Sequence, residues 1–284
     1  VGEIIGLSAT PSTSDRQKIE GYLANKWGLS LAHDHPYKVS PPLAWSSSLQ
    51  SSQDLVSGAT NIGTGKEGFY GTTISGLTAG ETYHYRIRSQ GKLNPKGISG
   101  SNLNLWLDAE DTSTITHSSN AVSKWQDKSG NGKHATQATS SSKPTYTVSN
   151  SLLNNKSSVS SSSQNGSIGL DLPSISLQEI FVVAYYKDGS DNSFDNYNTL
   201  ISGPGSNGKY RIMGNQNTAN WITGSNFNDG GNFKNGATSS NNSALPMPVT
   251  LLRFASSVAR TETRGILYNT QVADRGWIGG VGEI

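Results

Sequence analysis

Hydrophobic and polar positions alternate in short runs along most of this chain, and only one stretch breaks into the three-to-four spacing of a helix. Over Asp15 to Trp27 the apolar residues Ile19, Tyr22, Leu23 and Trp27 fall on one face, while Asp15, Arg16, Lys18, Glu20, Asn25 and Lys26 fall on the other. Ser14, with Gln17 three residues on, is placed to cap the start, and Gly28 to end it in a left-handed conformation. A strand, Val1 to Leu7, precedes this helix. Further on, Tyr83, Tyr85 and Ile87 alternate with His84, Arg86 and Arg88, a period of two with one apolar face. Phe181 to Tyr186 is apolar at every position, as a central strand covered on both sides must be. Asn-Gly at 131, 165, 207 and 235 and Asp-Gly at 188 and 229 supply the positive-φ pairs that tight hairpins need. The pattern predicts an all-β chain with one helix near its N-terminus.

The organisation follows from punctuation and from one repeat. Val281-Gly282-Glu283-Ile284 repeats Val1-Gly2-Glu3-Ile4, with starts 280 residues apart (281 − 1). The glycine-rich end therefore reads as an interrupted strand whose continuation is Val-Gly-Glu-Ile-Ile-Gly-Leu. Pro36, Pro41 and Pro42 mark residues 33–42 as a linker. Residues 43–100 read as a small β-sandwich spacer, and residues 101–284 as a large antiparallel domain lacking its closing strand and helix. Residues 1–32 supply such a strand and helix, and the reading assigns them to a neighbouring repeat. Their donor is the next repeat of one polypeptide, a separate subunit by strand exchange, or the chain's own N-terminus; the duplicated tetrapeptide favours the first. The expected assembly interface is Val1, Glu3, Ile4, Ile5, Leu7, Ile19, Tyr22, Leu23, Trp27, Val281, Glu283 and Ile284.

Leu103-Asn104-Leu105-Trp106-Leu107-Asp108-Ala109-Glu110-Asp111, followed by Trp125-Gln126-Asp127-Lys128-Ser129-Gly130-Asn131-Gly132, resembles the opening of laminin-G-like (concanavalin A-like) jelly-roll domains of large exported bacterial proteins. Asp15 to Leu29 is similar to the helix that closes such domains. Ile74 to Arg86 resembles the fibronectin-type-III-like (Ig-like) spacers that accompany them. The resemblance implies an antiparallel jelly-roll β-sandwich with lectin, adhesive or architectural roles, and glycoside hydrolysis in distant relatives; fold alone does not choose between these. Residues 149–164, Ser-rich here, depart from the family pattern.

Composition narrows the functional classes. Charged residues are 15% of the chain, the formal net charge is +2, and basic residues form no stripe, so nothing in the sequence points to nucleic acid. No run approaches the roughly 20 apolar residues of a membrane-spanning helix, so membrane insertion is not expected. The absence of cysteine removes disulfides and thiolate chemistry. A Ser/Asn/Gly-rich, charge-poor surface points to an extracellular or cell-surface setting.

Candidate chemistry is sparse. A retaining hydrolase on this fold needs two carboxyl groups about 5 Å apart, and no Glu-x-Asp-x-Glu strand occurs, so no enzyme is expected; Glu110 reads as a solvated strand end. Asp188, Asp191 and Asp195 gather carboxylates in one loop that calcium accepts, with a polar hairpin as the blander reading. Asp108, Asp111 and Asp127 form a second acidic group, although Asp127 is better placed to cap its own turn. Trp221, Trp277, Tyr197 and Tyr210 are candidate glycan contacts, with core packing as their commoner fate. His33 and His35 read as solvated linker residues. The expectation is a non-catalytic structural or adhesive repeat of an extracellular filament, sheath or giant surface protein, partnered by copies of itself. The alternative is a lectin module that binds extracellular polysaccharide through multivalency.

Overall fold

The computed structural model describes residues 3–38, 102–164, 167–204, 211–222, 231–239 and 243–284. The expected spacer, residues 43–100, and Val1 lie outside the described residues. Within them the protein is all-β with a single α-helix, as the pattern predicts. Strand β1 (Glu3–Leu7) leads into helix α1 (Thr13–Trp27). Then follow β2 (Leu103–Asp108), β3 (Ile115–Ser118), β4 (Ala121–Trp125), β5 (Ala135–Thr136), β6 (Thr145–Asn150), β7 (Lys156–Ser161) and β8 (Leu170–Tyr186). The series ends with β9 (Thr199–Ile201), β10 (Ile212–Met213), β11 (Gly231–Lys234), β12 (Ala237–Thr238), β13 (Thr250–Ile266) and β14 (Gly279–Glu283). No helix among the described residues is long and apolar enough to cross a membrane.

Where the sequence predicts two separate sheets, the strands join into one sheet that closes on itself. Pairings run β14–β7–β6–β4–β5–β8 and return to β14, a six-stranded barrel with the other strands extending from it. The reason lies in two 17-residue strands, β8 and β13. They pair from Ala184 with Thr250 to Leu170 with Ile266, with a shift between Ala255 and Arg260 that bends the ribbon.

Strand β8 also divides the apolar residues into two cores. Ile180, Val182, Ala184 and Tyr186 point into the barrel, where they meet Trp125, Trp221 and Trp277. Phe181, Val183 and Tyr185 point outward and are covered by Ile19, Tyr22, Leu23 and Trp27 of α1. A period of two on the strand thus meets a period of 3.6 on the helix. Strand β1 obeys the same rule: Ile4 is in the inner core, Ile5 and Leu7 in the outer one. Between them Gly6 passes so close to Leu177 that a Cβ would lie 2.6 Å from Cδ2, so a larger residue there would require the Leu177 side chain to shift.

Three local expectations are corrected. The helix is capped by Ser12, not Ser14: the Ser12 hydroxyl accepts from the Asp15 amide (3.1 Å) and donates to the Asp15 carboxylate (2.8 Å). Glu20, assigned to the polar face, is fully buried, and His35, expected in solvent, is buried against it. His35 Nε2 lies 2.9 Å from Glu20 Oε2, and Arg16 Nη1 bonds both Glu20 oxygens at 2.9 Å. The physical reason is that residues 29–38 fold back over the helix as a strap, with Leu31 buried, so the helix is covered on a second face that periodicity alone does not show. The Asn235-Gly236 turn, with both residues at positive φ as expected, abuts the same spot. His33 is exposed. Gly28 ends the helix at φ +66, its amide bonding Ala24 O.

Trp27 is wholly buried at the end of the lid. Trp27→Ala should destabilise the protein by about 3–5 kcal/mol in a urea or thermal unfolding experiment, because the cavity it leaves lies between a helix and a sheet that cannot both collapse into it.

Candidate functional site

The feature of this fold that ordinary packing does not account for is a strand position claimed twice. Next to β8, on the edge opposite β13, β14 and β1 lie end to end. Gly279, Gly280, Val281 and Glu283 stand opposite Tyr186, Tyr185, Ala184 and Val183. Ile4, Ile5, Gly6 and Leu7 continue opposite Val182, Phe181, Ile180 and Glu179. On the other edge, Gly279 to Val281 pair with β7, and the next positions pair with β2. Two strands from opposite ends of the sequence thus behave as one.

They overlap where their sequences are identical. Glu3 and Glu283 are both opposite Asp108. Ile4 is opposite Leu107, and Ile284 exchanges both backbone hydrogen bonds with Leu107. The Ala109 amide donates to Gly282 O at 2.8 Å. Both Ile4 and Ile284 are buried in the inner core. In the single chain described, β1 and α1 pack on its own barrel, in the slot that the sequence reading gives to the closing strand and helix of a neighbouring repeat. The interrupted strand inferred from the glycine-rich end is present, continued by β1.

Polar contacts fix the lid over this slot. Lys26 Nζ at the end of α1 lies 3.1 Å from Asp108 Oδ1, at the end of β2. Asn154 donates to the carbonyl of Trp27 at 2.6 Å, tying the last turn of the helix to the turn before β7. Lys128 completes the node: it reaches Asp108 and Asp111, each at 2.8 Å, and lies 4.3 Å from the centre of the Trp106 ring. Burial disfavours its ammonium, but the two carboxylates outweigh that and hold its pKa above the ordinary lysine value. Glu110, expected in solvent, instead accepts from the Ser157 amide (2.6 Å) and Lys156 (3.1 Å), joining the end of β2 to β7. Burial would raise its pKa; these donors outweigh it and hold the carboxyl below the ordinary range. For Asp111 too burial is the largest single influence and raises the pKa, but Lys128 and Ser113 together outweigh it and hold the carboxyl below its ordinary value. Lys26 lies on the predicted polar face of the helix and Lys128 within the Trp125–Gly132 motif, but neither signal, nor any at Asn154, points to these partners, which arise from long-range pairing alone.

Among the described residues, the candidate ligand residues make the following contacts. Asp188 bonds the amide and hydroxyl of Ser190, capping its own turn. Asp191 and Asp195 instead flank Lys187, whose ammonium lies 3.2 and 2.7 Å away, in the loop whose carboxylates calcium could accept and whose blander reading is a polar hairpin. Among the described residues no group of three or more acidic or histidine side chains is arranged to hold a metal. Asp127 caps its own turn as expected, accepting from the Ser129 and Lys133 amides and from Trp106 N. Trp221 and Trp277 are interior, stacked at 6.1 Å between centroids and packed against Phe194, so they offer no sugar platform. Tyr197 is half-buried with the Arg275 guanidinium 4.5 Å from its ring centre, and Tyr210 lies outside the described residues.

No protein-family model, curated protein or solved structure matches the chain.

Two outcomes follow from these charges. Glu110 and Asp111 have folded pKa values below their ordinary 4.5 and 3.8, so the stability they contribute is complete above those values and is lost as the pH falls through the lower folded ones. Acid unfolding of Glu110→Gln, followed by circular dichroism, should show a shallower loss of stability below about pH 4 than the parent. With Lys187 between Asp191 and Asp195, calcium or a chelator should leave the melting temperature unchanged, whereas Lys187→Met should make it calcium-sensitive.

Proposed function

We propose that this protein is a non-catalytic structural or adhesive unit of an extracellular or cell-surface filament, sheath or large surface protein, built by repetition of the same chain. In this reading residues 3–38 and 102–284 form a laminin-G-like jelly roll, and residues 43–100 a fibronectin-type-III-like spacer between the closing segment and the rest. The observation that carries it is the strand position claimed by two identical segments. Enzymes and lectins need an open site with convergent polar groups; a strand slot flanked by a helix lid is instead a means of connecting chains, because main-chain hydrogen bonds give affinity and alternating pockets give register. Two of the four aromatic residues on which the alternative lectin reading draws, Trp221 and Trp277, lie inside the barrel.

Negative-stain electron microscopy of the native material should show linear assemblies with a regular axial repeat. Isolated particles would contradict the assembly reading. Release of reducing sugar from a polysaccharide, abolished by a single Glu substitution, would contradict the non-catalytic one.

A further inference from the structure

We infer that the slot beside β8 is shaped for one unbroken strand, running from Gly279 through Ile284 directly into Ile5, Gly6 and Leu7 of a second copy of this chain, so that residues 5–38 of the following copy close the barrel of the preceding one. This rests on the repeat-unit reading and specifies its joint.

The register carries the inference. Partners along β8 descend without a gap, from Tyr186 opposite Gly279 to Val183 opposite Glu283, then from Val182 opposite Ile4 to Glu179 opposite Leu7. Ile284 is the residue after Glu283, and it bonds the same Leu107 that stands opposite Ile4. Replacing Ile4 by Ile284 therefore changes neither partner nor side chain, and Ile5 follows in step. The in-and-out alternation is reset by the register shift between Val281 and Glu283, which lets Val281 and Ile284 both face the inner core; from Ile284 it runs in step across the joint, with Ile5 and Leu7 facing the outer core beneath α1. A one-residue slip would turn these side chains to the wrong faces, so agreement of both edges and both cores is a demanding condition.

Closure within one chain leaves a conflict that the joint removes. Leu107 has one amide and one carbonyl on this edge, and Ile284 takes both. The other Glu-Ile pair is surplus. When Ile284 runs on into Ile5, the pair occurs once and every ladder position has one occupant. The connection to β2 does not oblige the lid to return to its own barrel. Residues 39–101, 63 residues (101 − 39 + 1), stand between them in sequence. The resulting contact is head-to-tail: the lid of one copy meets the barrel of another, never lid on lid, and such contacts propagate as open arrays unless the rotation closes them.

The test uses a two-copy chain, residues 1–284 followed directly by residues 5–284, treated with a zero-length carbodiimide cross-linker. Lys26 lies 3.1 Å from Asp108 when a lid is seated, so an amide between them reports which lid covers which barrel. In the first variant, Lys26→Ala in the first copy and Asp108→Asn in the second leave only the joined pairing able to link. In the second variant, both substitutions in the first copy leave only self-closure of the second copy able to link. The Lys128–Asp108 pair, 2.8 Å apart, reports reactivity in each. The inference expects the 26–108 link, identified by peptide mass spectrometry within a monomeric chain, in the first variant and not in the second. The link in the second variant alone, or in neither, would overturn it. Linear assemblies in the microscope together with that result would leave the repeat-unit reading standing and refute only the joint.

Discussion

Everything in this fold leans on the free edge of β8. Its six residues Phe181 to Tyr186 are buried on both faces, so an open edge there would strand a row of unpaired amides and carbonyls beside two apolar cores. β13 pairs along one edge from Ala184 to Leu170, with two register shifts. The other is satisfied only by stringing β14 and β1 end to end. Remove the second of these and the inner core loses Ile4, the outer core loses Ile5 and Leu7, and α1 loses the strand that leads into it.

That dependence explains where polar interactions concentrate. Barrel and lid are separate in sequence, and the charged node of Lys26, Asp108, Lys128 and Asp111 sits where they meet, with Asn154 holding the last turn of the helix from the other side. Glu20, the one fully buried acid of the lid, is answered by Arg16 within the helix and by His35 from the strap. A buried ion pair with satisfied partners contributes geometric definition more than net stability. Here it determines how the strap lies on the helix, while burial of Trp27 and its neighbours supplies the free energy.

Much of the fold was legible in the sequence because its signals are local. The helical stripe of Ile19, Tyr22, Leu23 and Trp27, the all-apolar run of β8 and the Asn235-Gly236 turn each follow from spacing of a few residues. The composite strand was legible because the tetrapeptide recurs. What failed was non-local. Whether Trp221 faces sugar or core depends on Phe194 and Trp277, and whether three aspartates gather a cation depends on Lys187 reaching between two of them. A strap folding back over Glu20 leaves no periodic trace. Closure into a barrel instead of two free sheets depends on the bend of β8 and β13, which propensity does not encode.

The central claim, that β14 and β1 act as one strand, is tested most directly by native-state hydrogen exchange of the full chain. If the strands form one continuous ladder, the amides of β1 should be protected to the same degree as those of the facing half of β8, and should lose that protection together with it in mild denaturant. Rapid exchange in β1 while β8 remains protected would show that the slot is filled by something other than this strand, and the account would fail.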